Sequence, residues 1–175
     1  GQRVVTASGM AARVWDARSG QPLLEPLRHQ DAVNFTSFSP DGLRLVTASG
    51  NAARVWDARS GQALTESLHH QREVRSARFS PDGRRVVTAS GSTVRVWEAR
   101  SGQPLTGWLH HDNEVTSVEF SPDGMRVLAT SLDKAARVWE VPDAPVPAPS
   151  WFLDWAEAHV GRRFDPQSTA GAISL

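Results

Sequence analysis

The 175-residue chain contains no cysteine, which excludes disulfides, thiolate metal sites and cysteine nucleophiles. It has almost no lysine: Lys134 stands alone among 19 basic residues, the others being arginine. Arginine keeps its charge and makes planar, forked contacts, although a coding preference for arginine is the plainer account of the bias. Net charge is absent too. The 19 basic residues are balanced by 19 acidic ones, so the counterion-release drive of a general nucleic-acid binder is missing. No block of like charge marks a membrane-surface patch, and no apolar run approaches the ~20 residues of a membrane-spanning helix. No signal-peptide pattern follows Gly1. These features lead us to expect a cytoplasmic protein with neither a nucleic-acid nor a membrane partner. A sequence opening on Gly1 rather than Met is expected of a processed chain or a fragment.

What the sequence does have is an internal repeat. Ser-Pro-Asp-Gly occurs at 39–42, 80–83 and 121–124, two steps of 41. Trp15, Trp56, Trp97 and Trp139 follow steps of 41, 41 and 42. Ala-Arg-Ser-Gly-Gln recurs at 17–21, 58–62 and 99–103, and His29, His70 and His111 keep the same register.

Each unit reads as β structure. Residues 115–124 alternate Val115, Ser117 and Glu119 against Thr116, Val118 and Phe120, then close on a Pro-Asp-Gly turn. Residues 84–90 and 93–99 are rich in β-branched and aromatic types, as strands prefer. Residues 103–111 form a weaker fourth strand. Pro22, Pro26 and Pro104 in its equivalents consign it to a sheet edge, because proline cannot donate to a ladder. Apolar residues fall on both faces, as in Val86-Val87 and Val96-Trp97. One unit cannot bury both faces alone, whereas like neighbours stacked radially can. The 3.6-residue periodicity of a helical solenoid is missing from 1–141.

These residues resemble the WD-repeat β-propeller family: a His, three residues, a Val, then Ser-Val-Glu-Phe-Ser-Pro-Asp-Gly, a Val/Thr/Ser strand, Thr-Val-Arg-Val-Trp-Glu and Ser-Gly. The resemblance covers 1–141. It implies an all-β fold: a propeller arc of four-stranded antiparallel blades, here two full blades and two three-stranded partial blades, to which the tail residues add a short C-terminal α-helix. It also implies a structural tetrad in each blade, made of His, Ser/Thr, Asp and Trp. Carried onto this sequence, the tetrads are His29, Thr47 and Trp56; His70, Thr88 and Trp97; and His111, Asp133 and Trp139. The first blade keeps only Thr6 and Trp15. Where the family has its Asp turn, this chain has Gly9-Met10, Gly50-Asn51 and Gly91-Ser92, and Ala129 fills the last hydroxyl slot. A buried His without its Asp loses a partner at a cost of order 1–3 kcal/mol. Loosened tops on the middle blades are expected, with Asn51 or Ser92 as substitutes.

A closed propeller has about four to eight blades, and seven blades of ~41 residues need about 290 residues. The chain is therefore expected to be the C-terminal portion of a longer propeller, its remaining blades coming from a missing N-terminal segment or from other copies. Residues 142–149, with four prolines, read as a stiff linker. The remainder, 150–175, reads as a helix capped by Ser150 and Gly161, then a disordered end. Trp151, Phe152 and Trp155 on that helix suit docking on the propeller or in a partner groove.

Six histidines raise metal binding, but His29, His70 and His111 fall on separate blades and no His-Glu-x-x-His string exists. Nucleophile-elbow, phosphate-loop and dinucleotide-binding glycine motifs are missing as well. The acidic residues mostly repeat with the unit, Asp41/Asp82/Asp123 in turns and Asp16/Asp57/Glu98/Glu140 beside the Trp. A catalytic residue should break the repeat, so neither catalysis nor a cofactor is expected. The loops that vary from unit to unit hold Arg28, Gln30 and Asp31; Gln71 and Arg72; Asp112 and Asn113; Asn51 and Ser92. In WD-repeat relatives such loops form the top face where peptides dock. The resemblance thus implies a non-catalytic protein-interaction scaffold. Near-identical units and high arginine resemble bacterial WD-repeat arrays, in which the propeller is often joined to a Ser/Thr kinase or another signalling domain. A regulatory module of a larger enzyme is the alternative expectation. Trp108, where the other units have Pro26 and Ser67, stands out as a side-surface contact or a seat for the tail helix.

Overall fold

The computed structural model describes residues 2–143. The expected C-terminal helix and disordered end, and the expected linker beyond Asp143, lie outside the described residues. Contacts divide the chain into two units, 1–144 and 145–175.

Fourteen strands form four antiparallel sheets among the described residues. Blade 1 holds β1 (Arg3–Ser8), β2 (Ala11–Asp16) and β3 (Leu27–Arg28). Blade 2 holds β4 (Val33–Phe38), β5 (Arg44–Ser49), β6 (Ala52–Asp57) and β7 (Leu68–His69). Blade 3 holds β8 (Val74–Phe79), β9 (Arg85–Ser90), β10 (Thr93–Glu98) and β11 (Leu109–His110). Blade 4 holds β12 (Val115–Phe120), β13 (Arg126–Ser131) and β14 (Ala136–Glu140). The all-β arc of two full and two three-stranded blades is the one the repeat implies.

The first hairpin of each full blade closes through its Ser-Pro-Asp-Gly turn. Gly42 sits at φ +70°, where a Cβ is strained, and its N–H bonds the Ser39 carbonyl at 2.8 Å. The Asp41 carboxylate accepts the Leu43 N–H at 2.9 Å, and the Ser39 hydroxyl accepts the Arg44 N–H at 2.9 Å. The fourth strand is shorter than its sequence suggests. It survives as two paired residues plus one bridge, Trp56 to Ala63 or Trp97 to Pro104. Between them the Thr65 and Thr106 hydroxyls take the Val55 and Val96 N–H groups at 3.1 Å. The first strands differ from a plain alternation too. Each carries a register shift near its start, at Val33/Phe35, Val74/Ser76 and Val115/Ser117. Such bulges re-aim side chains, and two of the displaced residues reach the next blade. Asn34 donates to Glu73 at 3.0 Å, and Arg75 pairs with Glu114 at 2.5 Å.

The cores lie between blades rather than within them. Val5, Ala12 and Val14 of blade 1 pack with Val33, Leu45 and Trp56 of blade 2. Val46, Val55 and Leu68 pack with Val74, Val86 and Trp97 of blade 3. Val87, Val94 and Val96 pack with Val115, Val118 and Val127 of blade 4. Burying one such valine contributes about 1.5–3 kcal/mol, against about 1 kcal/mol net for one hydrogen bond. Stacking therefore outweighs any single tetrad contact. Where a neighbour is missing from the described residues, the same positions open. Val4, equivalent to the buried Leu45, is 47% exposed, while Leu128 and Val138, equivalent to Val87 and Val96, are 42% and 57% exposed.

Candidate functional site

His29, His70 and His111 each lie on the crossing from one blade to the next. The His29 N–H bonds the Met10 carbonyl of blade 1, while its ring reaches into blade 2. There the Nε2 atom lies 2.8 Å from the Thr47 hydroxyl, which also accepts the Trp56 indole N–H at 2.8 Å. Nδ1 is 2.9 Å from the Leu27 carbonyl, so it must carry the proton and Nε2 must accept from Thr47. A backbone carbonyl thus replaces the family's Asp. In blade 3, His70 Nε2 lies 2.7 Å from the Thr88 hydroxyl, and the Trp97 indole donates to that hydroxyl at 2.7 Å. The buried Nδ1 of His70 has no hydrogen-bond partner among the described residues. In blade 4 the pattern inverts. His111 Nδ1 lies 2.9 Å from Asp133, and its Nε2, opposite Ala129, is the buried atom without a partner among the described residues. The expected substitution by Asn51 or Ser92 does not occur. Their carbonyls take the main-chain N–H groups of His70 and His111 at 2.9 Å instead, extending the sheet edge.

Burial, then the Arg95 and His69 charges, push the His70 ring down to about 4. His29, less deeply covered, is lowered chiefly by burial. Burial opposes ionisation of Asp133, but the N–H groups of Ala135 and Asp112 and the His111 ring outweigh it and hold the carboxyl at about 2.

At the same end of the blades, the loop residues gather into grooves. Arg28, Gln30, Asp31 and Asn51 border a cavity of about 590 Å³ on blade 2, together with Arg54 and Ser67. Gln71, Arg72, Ser92, Asp112 and Asn113 border another of about 700 Å³ between blades 3 and 4. Its walls carry both signs: Arg75 pairs with Glu114 at 2.5 Å and Glu73 at 3.4 Å, and Arg137 pairs with Asp112 at 2.6 Å. This suits a polar peptide better than a single anion.

The acidic residues beside the Trp are turn braces. Asp57 accepts the Ser60 and Arg59 N–H groups at 2.7 and 2.9 Å, and these bonds, with the Ser60 hydroxyl, hold its carboxyl below the usual range. Asp41 is lowered the same way by the Ser39 hydroxyl and the Leu43 N–H. A general acid needs the opposite shift. Among the described residues no three His, Asp or Glu side chains gather to hold a metal ion, and no helix is long and apolar enough to cross a membrane.

One recurring set escaped the sequence reading. Arg3, Arg44 and Arg85 each place a guanidinium over the last residue of the following blade's first strand, Phe38, Phe79 and Phe120, at 5.6, 5.6 and 5.5 Å. Arg3 also donates to the Ala58 carbonyl of blade 2 at 3.0 Å, and Arg85 to the Pro142 carbonyl at 2.9 Å. Their step of 41, shared by Arg126, was the available signal.

Among curated proteins, none matches the chain. A solved structure described as the crystal structure of the computationally designed Ika4 protein is similar at a TM-score of 0.74 and 27% identity, over 81% of this chain and 87% of that one. WD40 propellers are generally non-catalytic and typically mediate protein interactions. The family description "WD domain, G-beta repeat" matches three tandem stretches, 20–57, 62–98 and 102–140. With those matches on the blades that carry His29, His70 and His111, the chain belongs to the WD40-repeat family.

Proposed function

We propose that this chain is a non-catalytic scaffold that holds a protein or peptide partner across the His-bearing ends of blades 2 to 4. One observation carries this reading. The loops that vary from unit to unit, at Arg28, Asp31, Arg72, Asp112 and Asn113 among others, border the two grooves at that end, while the opposite turns keep Ser-Pro-Asp-Gly unchanged in all three units. Unvarying turns serve the blade; the variable rim is free to serve a partner. The mixed charge of the rim supports a polar peptide. The exposed Val4, Leu128 and Val138 support cover of both open faces by further blades, from the same protein or from other copies.

The test is comparative affinity capture on the full chain, followed by quantitative mass spectrometry. The variant Q71A/D112A/N113A should lose the retained partner, and the turn variant L43S/M125S should keep it. Equal retention by both variants, or no retained protein, contradicts the scaffold.

A further inference from the structure

Blades 2 and 3 build one groove from equivalent residues, open in the first and filled in the second. On blade 2 the cavity measures about 590 Å³, and Gln30, Ala52, Ser67 and His69 lie on its wall. The equivalents on blade 3 are Gln71, Thr93, Trp108 and His110; beside Trp108 the space that all four border is only about 70 Å³, while Gln71, Thr93 and His110 also face the wider groove toward blade 4. Trp108 stands where blade 2 has Ser67. Its indole stands edge-on to His70 at 5.1 Å and to Trp97 at 6.4 Å. The Arg95 guanidinium lies against both indoles, 4.3 Å from the Trp108 ring centre and 4.8 Å from that of Trp97.

Blade 2 has every partner of that indole and lacks the indole itself. His29 stands edge-on to Trp56 at 5.3 Å, and Arg54 lies over the Trp56 ring at 5.5 Å. In place of the second ring there is only Ser67, whose hydroxyl takes an Arg54 N–H at 2.7 Å. His29 is consequently half-buried where His70 is buried.

We propose that the blade 2 groove is a binding site for a tryptophan side chain of a partner protein, seated as Trp108 is seated on blade 3. A guanidinium attracts an indole face more strongly than it attracts a phenyl or aliphatic group, and a tryptophan filling a pocket is a common anchor of protein interfaces. The proposal rests on the scaffold reading for its biology, but the site is tested separately with a small probe.

The experiment is a titration of the full 175-residue chain, isotope-labelled, with N-acetyl-L-tryptophanamide, followed by NMR at the Arg54 side chain and the His29 ring. Saturable shifts at both are expected in the millimolar range, with N-acetyl-L-leucinamide binding at least ten-fold more weakly. R54Q should weaken binding several-fold. S67W, which places an indole in the groove, should abolish it and raise the melting temperature. W108S should create a second site reporting at Arg95. The proposal is overturned by equal binding of the two amides, by shifts that persist in S67W, or by the absence of a second site in folded W108S. Failure here leaves the capture experiment, and the scaffold it tests, untouched.

Discussion

The His111 ring meets the Asp133 carboxylate at 2.9 Å on the blade where Ala129 replaces the hydroxyl that His29 and His70 use. The three blades thus satisfy complementary halves of one arrangement. Blades 2 and 3 keep the hydroxyl side, and blade 4 keeps the acid side. Interblade cores worth several times one hydrogen bond make either half sufficient.

Restoring the missing half on blade 4 should therefore stabilise it. With Nδ1 donating to Asp133, His111 Nε2 is an acceptor, so the hydroxyl of an A129T variant can donate to it and accept the Trp139 indole N–H. The gain should be about 1 kcal/mol, read as a higher midpoint in urea unfolding. A lower midpoint would show that the methyl-sized slot is already full.

His70 should make stability depend on mildly acidic pH. Folded, its ring stays neutral down to about 4; unfolded, it protonates near 6.5. Its contribution is complete above about pH 6.5 and is lost progressively as pH falls toward 4, because the unfolded chain then binds the extra proton. An NMR titration should find His70 well below an ordinary histidine, and W108S, by uncovering the ring, should move it back upward. A His70 ring titrating normally in the wild-type chain contradicts the burial argument.

Arg85 and Arg126 occupy equivalent positions with different surroundings. Arg85 is 1% exposed over Phe120, whereas the Arg126 side chain is 56% exposed beside Asp123. R85A should cost about 3 kcal/mol and R126A under about 0.5 kcal/mol in denaturant unfolding. Similar losses at the two sites contradict the view that this arginine works by packing onto the following blade.

Much of the fold was legible because the 41-residue step repeats several chemical markers at once. The fourteen strands and the edge position of the fourth strand follow from alternation, Pro-Asp-Gly turns and proline. The length of the fourth strand did not, because a Thr65 or Thr106 hydroxyl can replace a ladder partner without leaving a mark in the pattern. The Leu27 carbonyl that serves His29 was invisible for a related reason: any residue supplies a carbonyl. The arginine staples recur with the repeat, but a recurring arginine does not by itself reveal the Phe of the next blade on which it lies. The groove at Ser67 is marked by a small side chain, and it acquires meaning only beside Trp108.

The open faces carry a prediction about association. Val4, Leu128 and Val138 are exposed where their equivalents are buried. Light scattering on the purified chain should show concentration-dependent association, reduced by V138K. A monomer that stays soluble at high micromolar concentration contradicts the claim that these faces need cover.

The most direct measurement is site-specific photocrosslinking from the full chain in cells. A photoreactive residue at Asn51, Gln71 or Asn113 should trap a discrete protein partner, and one at Leu43, Arg84 or Met125 in the opposite turns should not. Trapping from the turns alone, or equally from both ends, contradicts the assignment of the His-bearing end as the partner surface.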